Sequence, residues 1–177
     1  TMPANLTSYD CRNHRLALLG LEQDGFMAAV ASARQQYGPS RVGVFLGTST
    51  SGILSTEIAY RHRDPATGRL PADFNYETTH NLDATTEFVR LLLGLEGPAM
   101  TLSTACSSSA KVFASADRLL RAGLCDAAIV GGVDSLCLTT LYGFSALQLL
   151  STSPCRPCDE GRDGLSLGEA AGFALLE

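Results

Sequence analysis

Apolar residues recur along this chain in two rhythms. Leu16, Leu19, Phe26, Val30 and Ala33 fall at roughly helical spacing. They predict a helix capped by Asp10 or Asn13 that runs to Tyr37, bent or broken at Gly25 and stopped by Gly38-Pro39. Residues 41–47 (RVGVFLG) form instead an unbroken β-rich run, which predicts a buried strand. A small-residue loop, 48–52 (TSTSG), follows it, and a helix begins near Ile53 and includes Glu57 and Tyr60. Pro65, Gly68 and Pro71 make residues 61–75 a loop. Residues 81–93 read as helical again, and Gly97-Pro98 ends that segment.

The same alternation continues downstream. Residues 99–105 (AMTLSTA) predict a strand, with Cys106 directly after it. Small and apolar residues at 110, 113, 114, 116, 119 and 120 predict a helix over 107–122 that is buried on most sides, closed by Gly123. Residues 126–131 (DAAIVG) predict a second all-apolar strand, 139–150 a short helix, and 172–177 (GFALLE) a last strand. Pro154, Pro157 and Gly161 mark a loop between those last two. Strands alternating with helices define an α/β fold, and strands apolar on both faces suit a mostly parallel sheet covered by helices.

Composition narrows the function classes. The 177 residues are 45% hydrophobic and 18% charged, enough for one domain with a sizeable core. A net charge of −5 gives no electrostatic footprint for nucleic acid. No apolar stretch approaches the ~18–20 residues that span a bilayer. The first residues, TMPAN, lack a signal peptide's charged start and apolar core. A cytoplasmic protein with no membrane partner is expected, its six cysteines reduced.

Cys106 is the residue with chemistry. It sits between a strand and the first turn of a helix, where unpartnered N–H groups and the positive end of the helix dipole favour a thiolate. The same N–H groups can donate to an oxyanion. Ala105, Ser107, Ser108 and Ser109 are small and leave room for a carbonyl to approach. Taken alone, a cysteine there can equally be packing.

The surrounding motifs go further. The run from Thr104 to Ser135 (TACSSSAKVFASADRLLRAGLCDAAIVGGVDS) resembles the active-site region of β-ketoacyl-acyl-carrier-protein synthases. Leu150-Ser151, then Arg156-Pro157-Cys158-Asp159-Glu160-Gly161-Arg162-Asp163-Gly164, then Gly168-Glu169-Ala170-Ala171-Gly172 follow in that family's order, and Gly47-Thr48-Ser49 matches more weakly upstream. The resemblance implies the first half of a thiolase-like layered fold, residues 1–177 forming an incomplete N-terminal half-domain. By this resemblance Cys106 is the nucleophile that accepts an acyl group, and its own N–H is one oxyanion donor. Phe144 is an aromatic beside the acyl channel. Asp159, Arg162 and Asp163 belong to a polar loop that supports the site or, equally, form surface ion pairs. The implied activity is decarboxylative condensation with malonyl-carrier protein in fatty acid or polyketide synthesis. The implied partners are acyl-carrier protein and a second copy, paired through the strand at 99–104.

The resemblance also marks what the chain lacks. The family's two condensing histidines lie in the second half of the fold. His14, His62 and His80 match neither motif, and their polar neighbours read as solvated surface positions. The family's opening strand has no counterpart before Asn13, and is expected to be missing from the middle of the half-sheet. The chain is therefore expected to be truncated at both ends and inactive in condensation by itself. A non-catalytic fragment that binds a carrier protein or completes a dimer is the alternative. A thiolase acting on acyl-CoA is a second one, disfavoured by the Arg156–Gly164 run. Cys155-x-x-Cys158 is half a zinc motif without a second pair, the family more often has an aromatic at 158, and Gly131-Gly132 lacks any phosphate-loop pattern. No metal or other cofactor is expected. Lys111, one turn into the helix, either leans toward the sulfur or extends to solvent.

Overall fold

The computed structural model describes residues 1–177. Four strands, β1 (Val42–Gly47), β2 (Ala99–Leu102), β3 (Ala127–Asp134) and β4 (Ala170–Leu176), form one sheet in the order β2-β1-β3-β4. β1 runs parallel to β2 and to β3, and β4 is antiparallel to β3. The α/β, mostly parallel architecture expected from the pattern is present. The helices are α1 (Arg12–Leu21), α2 (Phe26–Tyr37), α3 (Ile53–Arg61), α4 (Tyr76–Thr79), α5 (Ala84–Leu93), α6 (Ser108–Arg121) and α7 (Leu138–Ala146).

Strand pleating divides the core in two. Val42, Val44, Leu46, Ala127, Ile129 and Val133 point to one face, against Leu18 and Leu21 of α1, Val30 of α2 and Phe88 and Val89 of α5. Phe45, Ala128 and Val130 point to the other, against Val112 and Ala116 of α6.

The first helix is broken at Gly25, one of the two outcomes expected there, because Asp24 and Gly25 both take left-handed φ (52° and 73°) and end one helix before the next begins. Two expectations, on the cap of the first helix and on the burial of α6, are corrected. Neither Asp10 nor Asn13 caps α1. Cys11 holds the cap position without a side-chain bond, Asp10 pairs with Arg15, and Asn13 is buried inside α1. α6 is not buried on most sides: Val112, Ser115 and Ala116 are buried, whereas Ala110, Phe113, Ala114 and Asp117 are exposed. β1 pairs directly with β3 from Val42↔Ala127 to Gly47↔Gly132.

Candidate active site

β2 ends at Leu102, four residues before Cys106, and α6 starts at Ser108. The chain reverses between them through Ala105, a non-glycine residue at φ 53°. The carbonyl of Ala105 accepts from the Ser108 N–H (3.1 Å), the Ser108 hydroxyl (2.6 Å) and the Ser49 hydroxyl (3.0 Å). The buried Ser108 Oγ accepts in turn from the Thr104 N–H (2.9 Å). Cys106, at the outer side of this turn, is exposed. It stands two residues before the fourteen-residue α6, whose N-terminus carries the positive end of the helix dipole. Chemically, the turn offers an accessible thiol.

Two glycines bring that helix end close to the sheet. A Cβ at Gly47 would stand 2.5 Å from the Ser109 backbone nitrogen, and one at Gly132 would stand 2.2 Å from Ser109 Oγ. Gly131-Gly132 thus serves close packing between β3, β4 and α6. Beside it a groove of about 510 Å³ opens, lined by Ser109, Gly132, Val133, Asp134 and residues 168–172. A hollow of about 390 Å³ between α3 and residues 71–75 includes no residue of the Cys106 turn.

Two carboxylates that the sequence reading left without a role organise the loops around the turn. Asp134, at the end of β3, accepts through Oδ1 from Thr48 Oγ1 (3.0 Å), Ser49 N (2.7 Å), Thr50 N (2.9 Å) and Thr50 Oγ1 (2.9 Å). Glu57 of α3 accepts from Leu138 N (3.0 Å), Thr139 N (2.7 Å) and Thr139 Oγ1 (2.6 Å), capping α7. Partial burial raises the Glu57 carboxyl's pKa, but these donors outweigh it and leave it below the ordinary value. The signal for Asp134 was a carboxylate ending an apolar strand opposite a Thr/Ser loop. Glu57 carried no local signal, because its partners lie more than 80 residues away.

Phe144 is half-buried on α7, and no hydrogen bond or ring pair links it to the Cys106 turn. Residues 150–165 form a loop closed at its base by Ser151 N to Leu165 O (2.9 Å). Within it Asp163 accepts from Ser151 Oγ (2.7 Å), which with Ser153 holds its carboxyl below the usual range. Asp159 accepts from the Gly161 N–H, and Arg162 donates to the Asp159 carbonyl. Both bonds lie within the loop, and neither side chain forms an ion pair. Glu169 holds Arg12 and accepts from Leu136 N, tying the start of β4 to α1. Lys111 is exposed.

The surface reading of the histidines fails at His14. It is fully buried and stacks on Phe88 at 5.1 Å. Its Nδ1 donates to the Tyr9 carbonyl (2.7 Å), so Nε2 accepts from Thr85 Oγ1 (3.2 Å). Burial lowers its pKa to about 4. His80 is half-buried, bonded through Nδ1 to Thr56 Oγ1 (2.7 Å). His62 is exposed. None of the three bonds to the Cys106 turn. All six cysteines are free. Cys11, Cys125 and Cys137 are buried, and Cys106, Cys155 and Cys158 are exposed. No helix is long and apolar enough to cross a membrane.

A mixed, mostly parallel sheet with a cysteine turn leading into a helix packed against it fits the thiolase-like class. The family model for the Beta-ketoacyl synthase, N-terminal domain, matches residues 16–177, and the chain belongs to that family. It is 32% identical over 173 residues to Nodulation protein E of Rhizobium meliloti, covering 92% of this chain and 43% of that protein. It is 33% identical over 143 residues to 3-oxoacyl-[acyl-carrier-protein] synthase 2 of Staphylococcus aureus, covering 77% of this chain and 35% of that one. Among solved structures, a chain of the complex of a ketosynthase with its chain length factor from Xenorhabdus doucetiae superposes with a TM-score of 0.84 at 36% identity. That match covers 99% of this chain and 43% of the matched chain of the complex. A beta-ketoacyl synthase from Burkholderia phymatum superposes at 0.76 with 26% identity, over 99% of this chain and 44% of the other. The chain thus spans less than half the length of each of these relatives.

Proposed function

We propose that Cys106 is the nucleophile of a β-ketoacyl-acyl-carrier-protein synthase. Its thiolate attacks the carbonyl of an acyl-carrier thioester, the carrier thiol leaves, and the acyl group is held as a Cys106 thioester. The single observation that carries this reading is an exposed cysteine directly after a left-handed residue, at the head of α6. The Cys106 N–H is one donor to the oxyanion that forms in the attack. Splitting transfer and condensation through a covalent intermediate replaces one hard step with two easier ones. In the second step malonyl-carrier protein loses carbon dioxide, and the carbanion formed attacks the acyl-Cys106 carbonyl, releasing the thiolate. Phe144 lines the acyl channel. The histidines for that step are not among His14, His62 and His80, so the 177-residue chain alone does not condense.

The free edge of β2, with Met100 exposed on it, supports a homodimer built by pairing β2 across a two-fold axis. Light scattering of the full-length polypeptide gives the mass of a dimer. A monomer would sink that assignment.

Alkylation with iodoacetamide followed by peptide mass spectrometry tests the nucleophile in the full-length polypeptide. Cys11, Cys125 and Cys137 are buried, so the contest is among Cys106, Cys155 and Cys158. Cys106 labels first, prior alkylation blocks acyl loading, and Cys106→Ala abolishes it. Labelling centred on Cys155 and Cys158, or loading that survives Cys106→Ala, overturns the assignment.

A further inference from the structure

We infer that Ser49 is a positioning residue for acyl transfer: its hydroxyl fixes the Ala105–Cys106 peptide plane and so aims the Cys106 N–H. This rests on the proposed role of Cys106. A trans peptide is planar, so its C=O and N–H point in opposite directions, and holding one sets the other. Ala105 is in the left-handed region, which a residue with a Cβ enters only when surrounding contacts impose it. Those contacts converge on its carbonyl, which accepts three hydrogen bonds. Two come from Ser108, inside α6, and move with that helix. The third, from Ser49 Oγ at 3.0 Å, comes from the loop after β1 and ties the turn to the sheet.

The Ser49 hydroxyl is itself held in place. The Ser49 N–H and three groups of its neighbours Thr48 and Thr50 all donate to one oxygen, Asp134 Oδ1, at 2.7–3.0 Å. Thr50 Oγ1 also accepts from the Ser135 N–H (3.2 Å), closing the clamp on the end of β3. A path of hydrogen bonds therefore runs from Asp134 through the loop backbone at 49 to the carbonyl of Ala105, one bond short of the Cys106 nitrogen. Ser49 is exposed, and Ser49→Ala keeps the backbone N–H that bonds Asp134, so the substitution leaves the fold in place.

Two reactions of the same sulfur separate this role from a structural one. Alkylation by iodoacetamide forms no oxyanion, whereas thioester exchange does. In the full-length polypeptide, Ser49→Ala slows single-turnover formation of the acyl-Cys106 thioester by about tenfold, since a misaimed group costs up to about a hundredfold. Its alkylation rate at Cys106 stays at the wild-type value. Ser49→Thr, which keeps the hydroxyl, restores loading. Loading by Ser49→Ala at the wild-type rate, or a parallel fall in loading and alkylation, overturns the inference while leaving Cys106 as nucleophile. A wild-type protein that carries no acyl group on Cys106 overturns the proposed function, and this inference with it.

Discussion

The two faces of the sheet are built to different ends. One is covered by α1, α2 and α5, and buries sixteen apolar residues in a single cluster. The other carries α6 alone, over a cluster of six. On the first face large side chains interlock, with Phe88, Leu21, Leu46 and Ile129 all fully buried. On the second, Gly47 and Gly132 remove side chains so that the start of α6 can approach the strand ends. The thick face supplies most of the apolar burial. The thin face gives up burial to hold a helix N-terminus, and the Cys106 turn with it, against the end of the sheet.

Phe88 is where the thick face should break first. It is fully buried between Tyr9 and the stacked ring of His14. Phe88→Ala costs about 3–5 kcal/mol, the usual loss for a buried aromatic. Urea unfolding of the 177-residue chain measures it. A loss below about 1 kcal/mol would mean that this face does not carry the stability assigned to it.

The same face holds a buried histidine. His14 has a folded pKa of about 4 against an ordinary value of 6.5, because burial disfavours the imidazolium. The folded state thus binds fewer protons than the unfolded state between those values. His14 contributes fully above pH 6.5, and its contribution is lost as pH falls toward 4. The loss is about 3 kcal/mol by linkage. Asp10, Asp126 and Glu169, whose pKa values are lowered by Arg15, Arg41 and Arg12, lose their contributions in a lower window, below about pH 4. His14→Gln keeps a hydrogen-bonding side chain but cannot titrate, so it flattens stability between pH 6.5 and 4. An unchanged pH slope in that variant would assign the acid sensitivity to other groups.

The sequence disclosed the thin face better than the thick one. The strand–Cys106–helix order, the loop at 48–52 and the motifs at 156–164 and 168–172 are local patterns, and local patterns survive without coordinates. Val42–Gly47 was legible because an apolar run bounded by turn signals is a strong strand signal. His14 was misread because its polar neighbours, Arg12, Asn13 and Arg15, look like a solvated helix start. What buries it is Phe88 and Thr85, more than 70 residues away. Asp134 and Glu57 escaped notice for the same reason, since their partners are distant in sequence. The direct β1–β3 pairing was equally hidden, because strand order is a non-local property. The helix break at Asp24-Gly25 was half visible: the glycine suggested it, but a left-handed aspartate beside it did not.

The smallest expected effect is the sharpest test of the thin face. Helical periodicity predicts α6 buried on most sides, because its outer positions Ala110, Phe113 and Ala114 are as apolar as its inner ones. In the folded chain only the side with Val112, Ser115 and Ala116 meets the sheet, and Phe113 is 44% exposed on the other. A substitution away from core contacts moves stability by no more than about 0.5 kcal/mol. Phe113→Ser should therefore leave the urea midpoint of the 177-residue chain where it is. Val112→Ala, one residue earlier but fully buried, should lower the unfolding free energy by about 1–3 kcal/mol, the cost of lost apolar area plus a cavity. If both variants lost stability alike, the outer side of α6 would be covered even in this chain, and the division between a thick and a thin face would fall.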